Sequence, residues 1–105
     1  MSLDNILVSG CPLCEIFLNP KDNINTKLYY PHIDKINDSN YVIIKCKSCN
    51  DPMVVIRDHV DYIHPKIWSD VVYRCKKILG YNIEFNTTQR TILDHVHVHI
   101  SNKRY

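Results

Sequence analysis

The sequence predicts an α+β domain with an antiparallel sheet and one principal helix. Two runs rich in β-branched residues, YVIIKC (41–46) and MVVIR (53–57), are separated by the turn-like KSCNDP. Neighbouring runs of this kind are typical of paired antiparallel strands. One longer segment, 65–80, carries its apolar residues at helical spacing instead. With 105 residues the chain has the length of one domain, and we expect residues 1–105 to form it.

The helix is predicted from its two ends and from its apolar stripe. Pro65 suits the first turn of a helix, and Gly80 suits the position just past its end. Charged side chains occupy one face between them, which leaves the opposite face apolar. Cys75 falls in the apolar stripe, so we expect a core residue there rather than a reactive thiol. The stripe consists of Ile67, Trp68, Val71, Val72, Cys75, Ile78 and Leu79.

Shorter elements are predicted around these segments. Polar and apolar residues alternate in 81–86 and through most of 91–100, which indicates strands. KLYY (27–30) is predicted as a further short strand. The residues after Cys14 are expected to form one helical turn that ends at Asn19-Pro20, and neighbouring prolines place His32 and His64 in exposed turns. The segments 20–26 (PKDNINT) and 31–40 (PHIDKINDSN) are predicted as loop and turns.

Charge and hydropathy exclude few functions. The formal net charge is +2, and the basic residues are scattered, so no basic run indicates nucleic acid. No apolar stretch approaches the roughly 18 residues of a membrane span. Residues 1–10 lack the basic start and apolar run of a signal peptide. A cytoplasmic location is the default expectation.

Four of the five cysteines form two C-x-x-C pairs. Cys11 and Cys14 lie in CPLC, and Cys46 and Cys49 lie in CKSC. In a reducing compartment such pairs indicate metal ligands or redox dithiols before structural disulfides. No βαβ pattern surrounds either pair, which argues against a thioredoxin-like site. Metal binding is therefore favoured.

Half of the six histidines lie on alternate positions of DHVHVHI (94–100). Alternate residues of a strand face the same side, so His95, His97 and His99 line one face and the apolar residues between them pack into the core. At about 3.4 Å per residue, His95 and His99 lie about 14 Å apart, too far for one tetrahedral ion. At least one imidazole remains for nucleophilic attack on phosphorus or for proton transfer.

This strand resembles the signature of the histidine-triad superfamily of nucleotide hydrolases and transferases, H-φ-H-φ-H-φ-φ, in which φ is apolar. Residues 95–101 match it at six of seven positions. CPLC resembles the C-x-x-C of the zinc-containing branch of that family. DPMVVIRDHVDYI (51–63) resembles the family's strand with its trailing histidine. The resemblance touches most of the chain from Cys11 to Arg104.

The resemblance implies a histidine nucleophile and a structural zinc ion. His97 would attack the phosphorus and form a nucleotidyl-histidine intermediate, while His99 would help bind the phosphate or protonate the leaving group. The substrate would be a nucleoside phosphate or phosphoramidate. Family members commonly dimerise, so a homodimer is also implied. The implied zinc ligands are Cys11, Cys14, His59 and His95, a closed tetrahedral set.

The chain departs from the family pattern around the phosphate. Family members often carry Gly-Gln-Ser-like residues just before the triad, where this chain has Arg90, Thr91 and Ile92. Arg90 and Thr91 are the expected replacements as donors to the phosphate. Asn86 aligns, across a gap, with an asparagine that lines the nucleotide pocket. Asn86, Arg90 and Thr91 are therefore the implied substrate-binding residues.

The second cysteine pair has no role in the family pattern, and it supports a different class of function. One alternative is a C2H2-like zinc finger that binds nucleic acid, with nine residues in the central gap where about twelve are usual. Another is a four-cysteine ribbon, a structural or interaction module without catalysis. CKSC is also compatible with a labile metal of its own, or with no role beyond the loop. The finger would use Cys46, Cys49, His59 and His64, and the ribbon Cys11, Cys14, Cys46 and Cys49.

Overall fold

The structure, a computed structural model, describes residues 12–24, 26–47, 50–58, 62–86 and 96–102. These residues contain a five-stranded sheet in the order β1-β2-β3-β5-β4. Every neighbouring pair of strands is antiparallel, which confirms the predicted α+β class and antiparallel sheet. The strands are β1 (Leu28–Tyr30), β2 (Tyr41–Lys45), β3 (Pro52–Ile56), β4 (Ile83–Asn86) and β5 (His97–Asn102), and the helices are α1 (Pro12–Leu18), α2 (Pro20–Asn23), a 3₁₀ helix (Ile33–Asp38) and α3 (Pro65–Leu79).

The β2–β3 hairpin forms as predicted. Its register runs from Tyr41 opposite Ile56 to Lys45 opposite Pro52. In the connecting turn, the Cys46 amide donates to the carbonyl of Asp51 at 2.8 Å. Asn50 has a φ of 64°, a left-handed conformation that asparagine tolerates better than most residues.

Both faces of the central strands β2 and β3 are buried. One face, called the α1 face below, packs against α1 and the 3₁₀ helix, and the other, called the α3 face, packs against α3. Double-sided burial explains why β2 and β3 are continuous apolar runs without polar alternation. The buried residues of the α1 face are Leu13, Cys14, Ile16, Phe17, Ile36, Val42, Ile44, Met53 and Val55. Those of the α3 face are Tyr41, Ile43, Val54, Ile56, Val71, Cys75, Val96, Val98 and Ile100.

Helix α3 has the predicted ends. It begins at Pro65 and is followed by Gly80, whose φ of 100° is accessible to glycine. The middle of the apolar stripe is fully buried at Val71 and Cys75. Ile78 was expected in the same stripe but is 40% exposed, whereas its neighbour Leu79 packs against the α3-face cluster. Among the described residues, no helix is long and apolar enough to cross a membrane.

Three segments differ from their predictions. Helix α1 begins at Pro12, within CPLC rather than after it, so Cys14 is helical. Residues Pro20–Asn23, predicted as part of a loop, form α2, with Pro20 in its first turn. Residues Ile33–Asp38, predicted as turns, form the 3₁₀ helix. Proline at the first helical position favours α2, and a histidine cap favours the 3₁₀ helix.

Two exposed histidines act as helix caps. His32 Nδ1 accepts a hydrogen bond from the Asp34 amide at 3.3 Å, and His64 Nδ1 accepts one from the Lys66 amide at 3.2 Å. Each imidazole thereby takes the place of the oxygen acceptor that usually caps a helix N-terminus. Their exposure agrees with the prediction, while their capping role was not predicted.

Tyr41 connects the sheet to α3. Its hydroxyl donates to the Asp70 carboxylate at 2.5 Å and accepts a hydrogen bond from Arg74 Nε at 3.2 Å. The Arg74 guanidinium lies over the Tyr30 ring, 4.2 Å from its centroid, a cation–π contact. Burial, followed by the hydrogen bond to Asp70, raises the pKa of Tyr41 well above its ordinary value of 10.0.

We expect Tyr41→Phe to lower the free energy of unfolding at neutral pH by about 1–2 kcal/mol, because it removes two hydrogen bonds between β2 and α3. Tyr73→Phe is the matched control, since Tyr73 is 58% exposed on α3. Urea denaturation of both variants measures the difference. Equal stability of the two variants would contradict the structural role of Tyr41.

The raised pKa of Tyr41 makes the free energy of unfolding depend on pH. The unfolded chain releases the Tyr41 proton near pH 10, whereas the folded protein holds it. The resulting stabilisation is complete below that pH and is lost as the pH rises above it, at up to about 1.4 kcal/mol per pH unit. Between about pH 9 and 11 the wild type should therefore lose stability more steeply than Tyr41→Phe.

Candidate functional site

Strand β5 places two of the predicted histidines on the α1 face. His97 is opposite Val55 and His99 is opposite Met53 on β3, and both partners belong to the α1-face cluster. The two imidazole rings lie edge to face, with centroids 5.5 Å apart. Val98, between them, is buried on the α3 face. The predicted alternation of faces is thus confirmed along the described part of this strand.

The two imidazoles differ in exposure. His97 is buried, with 6% of its surface exposed, whereas His99 is partly exposed. Strand β5 lies between β3 and β4, so neighbouring strands on both sides fix the backbone that carries the rings. The buried imidazole of His97 has a fixed orientation, which suits a nucleophile. The more exposed imidazole of His99 is suited to exchange protons with a bound molecule or with water.

A shallow, open hollow of about 490 Å³ lies along β4 and β5, and neither His97 nor His99 is among its described lining residues. Among the described residues it is lined by Glu84, Phe85, Asn86 and Ser101. Glu84 is opposite Ser101, and Asn86 is opposite His99. Because residues opposite each other in a sheet point to the same side, three of these lining residues share the α1 face with the histidines. We call this feature the β4–β5 hollow.

Asn86 is the one predicted substrate-binding residue within the described part of the chain. It is exposed, and its position opposite His99 puts the two Cβ atoms about 5 Å apart. Its amide can therefore reach a group held by His99. Arg90 and Thr91, the other two predicted residues, lie outside the described residues.

Glu84 and Ser101 also line the hollow and were not among the predicted site residues. The sequence did carry signals for both. Alternation in YNIEFN puts Glu84 on the same side as Asn86. Ser101 is the one position of the triad signature that departs from an apolar residue, and its polar side chain now lies in the hollow.

Of the four implied zinc ligands, the structure describes Cys14. Its side chain is fully buried on the α1 face, the face that also carries His97. This placement fits a closed structural site, in which zinc is bound by thiolates and imidazoles and shielded from solvent. Cys11, His59 and His95 lie outside the described residues. Within the described ranges alone, no three His, Cys, Asp or Glu side chains form a metal-binding group.

The structure describes some of the metal ligands that the alternative ribbon and finger sites would use. Cys46 follows β2 and packs against the α1-face cluster, as Cys14 does. His64 instead caps α3, the helix that covers the α3 face. The structure therefore brings the described cysteines of the ribbon to one face, and it places the described ligands of the finger on different sides of the sheet. Cys49 lies outside the described residues.

Cys75 is a core residue, as predicted. It is fully buried between α3 and the sheet, and burial raises the pKa of its thiol to about 12. The reactive form of a cysteine is the thiolate, which such a pKa suppresses at neutral pH. Cys75 therefore takes no part in the candidate site.

Comparisons of the chain with protein-family models, curated proteins and solved structures give no match. The resemblance to the histidine-triad superfamily thus stays a hypothesis from the residues of this chain. Any functional assignment depends on the geometry around β5.

We expect Cys75 to react with iodoacetamide at least about 100-fold more slowly in the folded protein than in the urea-unfolded chain at pH 8, because burial suppresses the thiolate and blocks access. Peptide mapping by mass spectrometry measures the rate for this residue alone. The unfolded chain serves as the control for its intrinsic reactivity. Similar rates in the two states would contradict the core assignment.

Proposed function

We propose that this protein is a nucleotide hydrolase or nucleotidyl transferase that acts on a nucleoside phosphate or phosphoramidate through His97. The observation that carries the proposal is the His97–His99 pair on the α1 face, with ring centroids 5.5 Å apart. The β4–β5 hollow, which Asn86 lines opposite His99, is proposed to hold the part of the substrate that extends past that pair. A nucleophile and a proton donor next to a polar recess are the parts that nucleophilic catalysis requires.

In the proposed reaction, a ring nitrogen of His97 attacks the phosphorus. A phosphorus–nitrogen bond forms while the bond to the leaving group breaks, and His99 supplies the proton that the leaving group needs. Water or another acceptor then attacks the nucleotidyl-histidine and releases His97. Burial of His97 favours this role because it holds the imidazole in position before the substrate arrives.

Phosphate charge must be stabilised during the attack. Asn86, opposite His99, is proposed to donate its side-chain amide to a phosphoryl oxygen. Arg90 and Thr91 are proposed as further donors, in agreement with their positions just before the triad. The cationic guanidinium of Arg90 would contribute more than a neutral donor, because charge-assisted hydrogen bonds to phosphate are the stronger kind.

The proposal includes a structural zinc ion bound by Cys11, Cys14, His59 and His95. When bound there, zinc would cross-link the first helix to the strand that carries His97. The described ligand, Cys14, supports the proposal because it is buried on the same face as His97. We further propose a cytoplasmic location, where thiols stay reduced and available to a metal.

We expect His97→Ala to lower the hydrolysis of an adenosine 5′-phosphoramidate by about 10³-fold or more, because no other group replaces the nucleophile. His32→Ala is the matched control, since His32 is an exposed cap of the 3₁₀ helix. Release of the free amine measures turnover, and circular dichroism checks that both variants are folded. Wild-type turnover by His97→Ala would refute the mechanism.

A non-catalytic zinc ribbon is the second candidate function. The observation that favours it is the packing of Cys14 and Cys46 against one hydrophobic cluster on the α1 face. In that arrangement the metal would be bound by Cys11, Cys14, Cys46 and Cys49, and the protein would act as an interaction module. The two candidate functions differ in which side chains hold the metal, and this difference is measurable.

We expect one zinc ion per chain in the wild type, retained in the double variant Cys46→Ser/Cys49→Ser. His95→Ala should lose zinc or bind it at least about 10-fold more weakly, because removal of one ligand opens the tetrahedral site. Elemental analysis of the purified proteins measures the metal content. Zinc lost from the double cysteine variant and retained in His95→Ala would favour the ribbon instead.

A further inference from the structure

The β4–β5 hollow contains a carboxylate just beyond the histidine pair. After His99, the next residue of β5 on the α1 face is Ser101, and Glu84 is opposite Ser101 on β4. Glu84 is exposed and lines the hollow together with Asn86 and Ser101. Of the described lining residues, Glu84 is the one that carries a charge at neutral pH.

The order of residues along the face relates this carboxylate to the proposed reaction. His97, His99 and Ser101 follow one another at intervals of about 7 Å along one side of β5. If His97 attacks the phosphorus and His99 protonates the leaving group, the leaving group lies near His99. The part of it that extends past His99 then enters the hollow, where the Glu84 backbone is about 8 Å from that of His99.

We propose that Glu84 selects the leaving group by charge, so that the preferred substrate is a nucleoside phosphoramidate whose leaving amine carries a second, protonated amino group. This inference rests on the proposed function and names its substrate class. A nucleoside polyphosphate is disfavoured by the same contact, since its leaving group is an anion. Ser101 and Asn86 add neutral hydrogen-bonding groups. Among the described lining residues, Glu84 therefore determines the sign of the charge in the hollow.

The expected size of the preference follows from Coulomb's law. If the second amino group lies about 8 Å from the Glu84 carboxylate, the two unit charges change a rate or binding constant by roughly 2- to 30-fold at an effective dielectric constant between about 20 and 80. The effect favours a cation and disfavours an anion. It should also decrease as the salt concentration rises, because the hollow is open to solvent.

Three adenosine 5′-phosphoramidates of equal chain length provide the test. Their leaving amines are 1,5-diaminopentane, pentylamine and 5-aminopentanoate, which end in a cationic, a neutral and an anionic group. The measured quantity is kcat/KM for each compound. We expect the wild type to prefer the cationic over the neutral compound, and the neutral over the anionic one, by roughly 2- to 30-fold at each step at low salt.

Two variants identify the residue responsible. In Glu84→Gln the three values of kcat/KM should converge, because the isosteric amide removes the charge and keeps the shape. Asp38→Asn is the control: it also removes one exposed carboxylate, at the end of the 3₁₀ helix, and should keep the wild-type ratios. Urea denaturation of both variants verifies that they are folded.

The outcomes separate this inference from the proposed function. Equal kcat/KM for the three compounds in the wild type, or unchanged ratios in Glu84→Gln, would overturn the role of Glu84 while leaving a His97-dependent hydrolase. Glu84 would then be a solvated charge on an edge strand, where charges discourage pairing with other chains. Failure of the wild type to cleave any of the three compounds would instead reject the proposed function, and the charge preference with it.

Discussion

The two-residue period of β5, fixed by burial of its apolar side chains, is the constraint on which the candidate site depends. Val98 and Ile100 are fully or almost fully buried on the α3 face, and this burial forces His97 and His99 to the α1 face. A slip of one residue would exchange the two sets and place imidazoles against α3. The core that stabilises the strand therefore also determines which face carries the chemistry.

Burial on both faces makes the position of polar groups informative. The α1 face is hydrophobic over β2 and β3 and becomes polar along β5 and β4, where His99, Ser101 and Asn86 follow one another. A polar group in the hydrophobic part would have to be desolvated. At the β4 edge, solvent or a bound molecule can satisfy it. The polar side chains of the α1 face are thus restricted to β5 and the edge strand β4. Strand β5 is hydrogen-bonded to a neighbouring strand on both sides.

Local signals predicted the elements that depend on local chemistry. The ends of α3 follow from Pro65 and Gly80, and the β2–β3 hairpin follows from two neighbouring β-branched runs. The 3₁₀ helix was missed because its cap is an imidazole, which propensity rules do not anticipate. The hollow was missed for a different reason: Glu84 and Ser101 become neighbours through the register of two strands that are separated by ten residues of sequence, and register depends on the packed core.

The register also bears on the two cysteine pairs. Cys46 precedes β3 in the hairpin turn, whereas His97 is opposite Val55 near the far end of β3, so the hairpin turn and the start of β5 lie at opposite ends of a strand about 17 Å long. A tetrahedral ion with bonds of about 2 Å cannot span that length. A single ion therefore cannot bind both Cys46 and His97. CKSC and the histidine strand therefore belong to two different candidate metal sites. Both candidate sites would use the cysteines of CPLC as ligands.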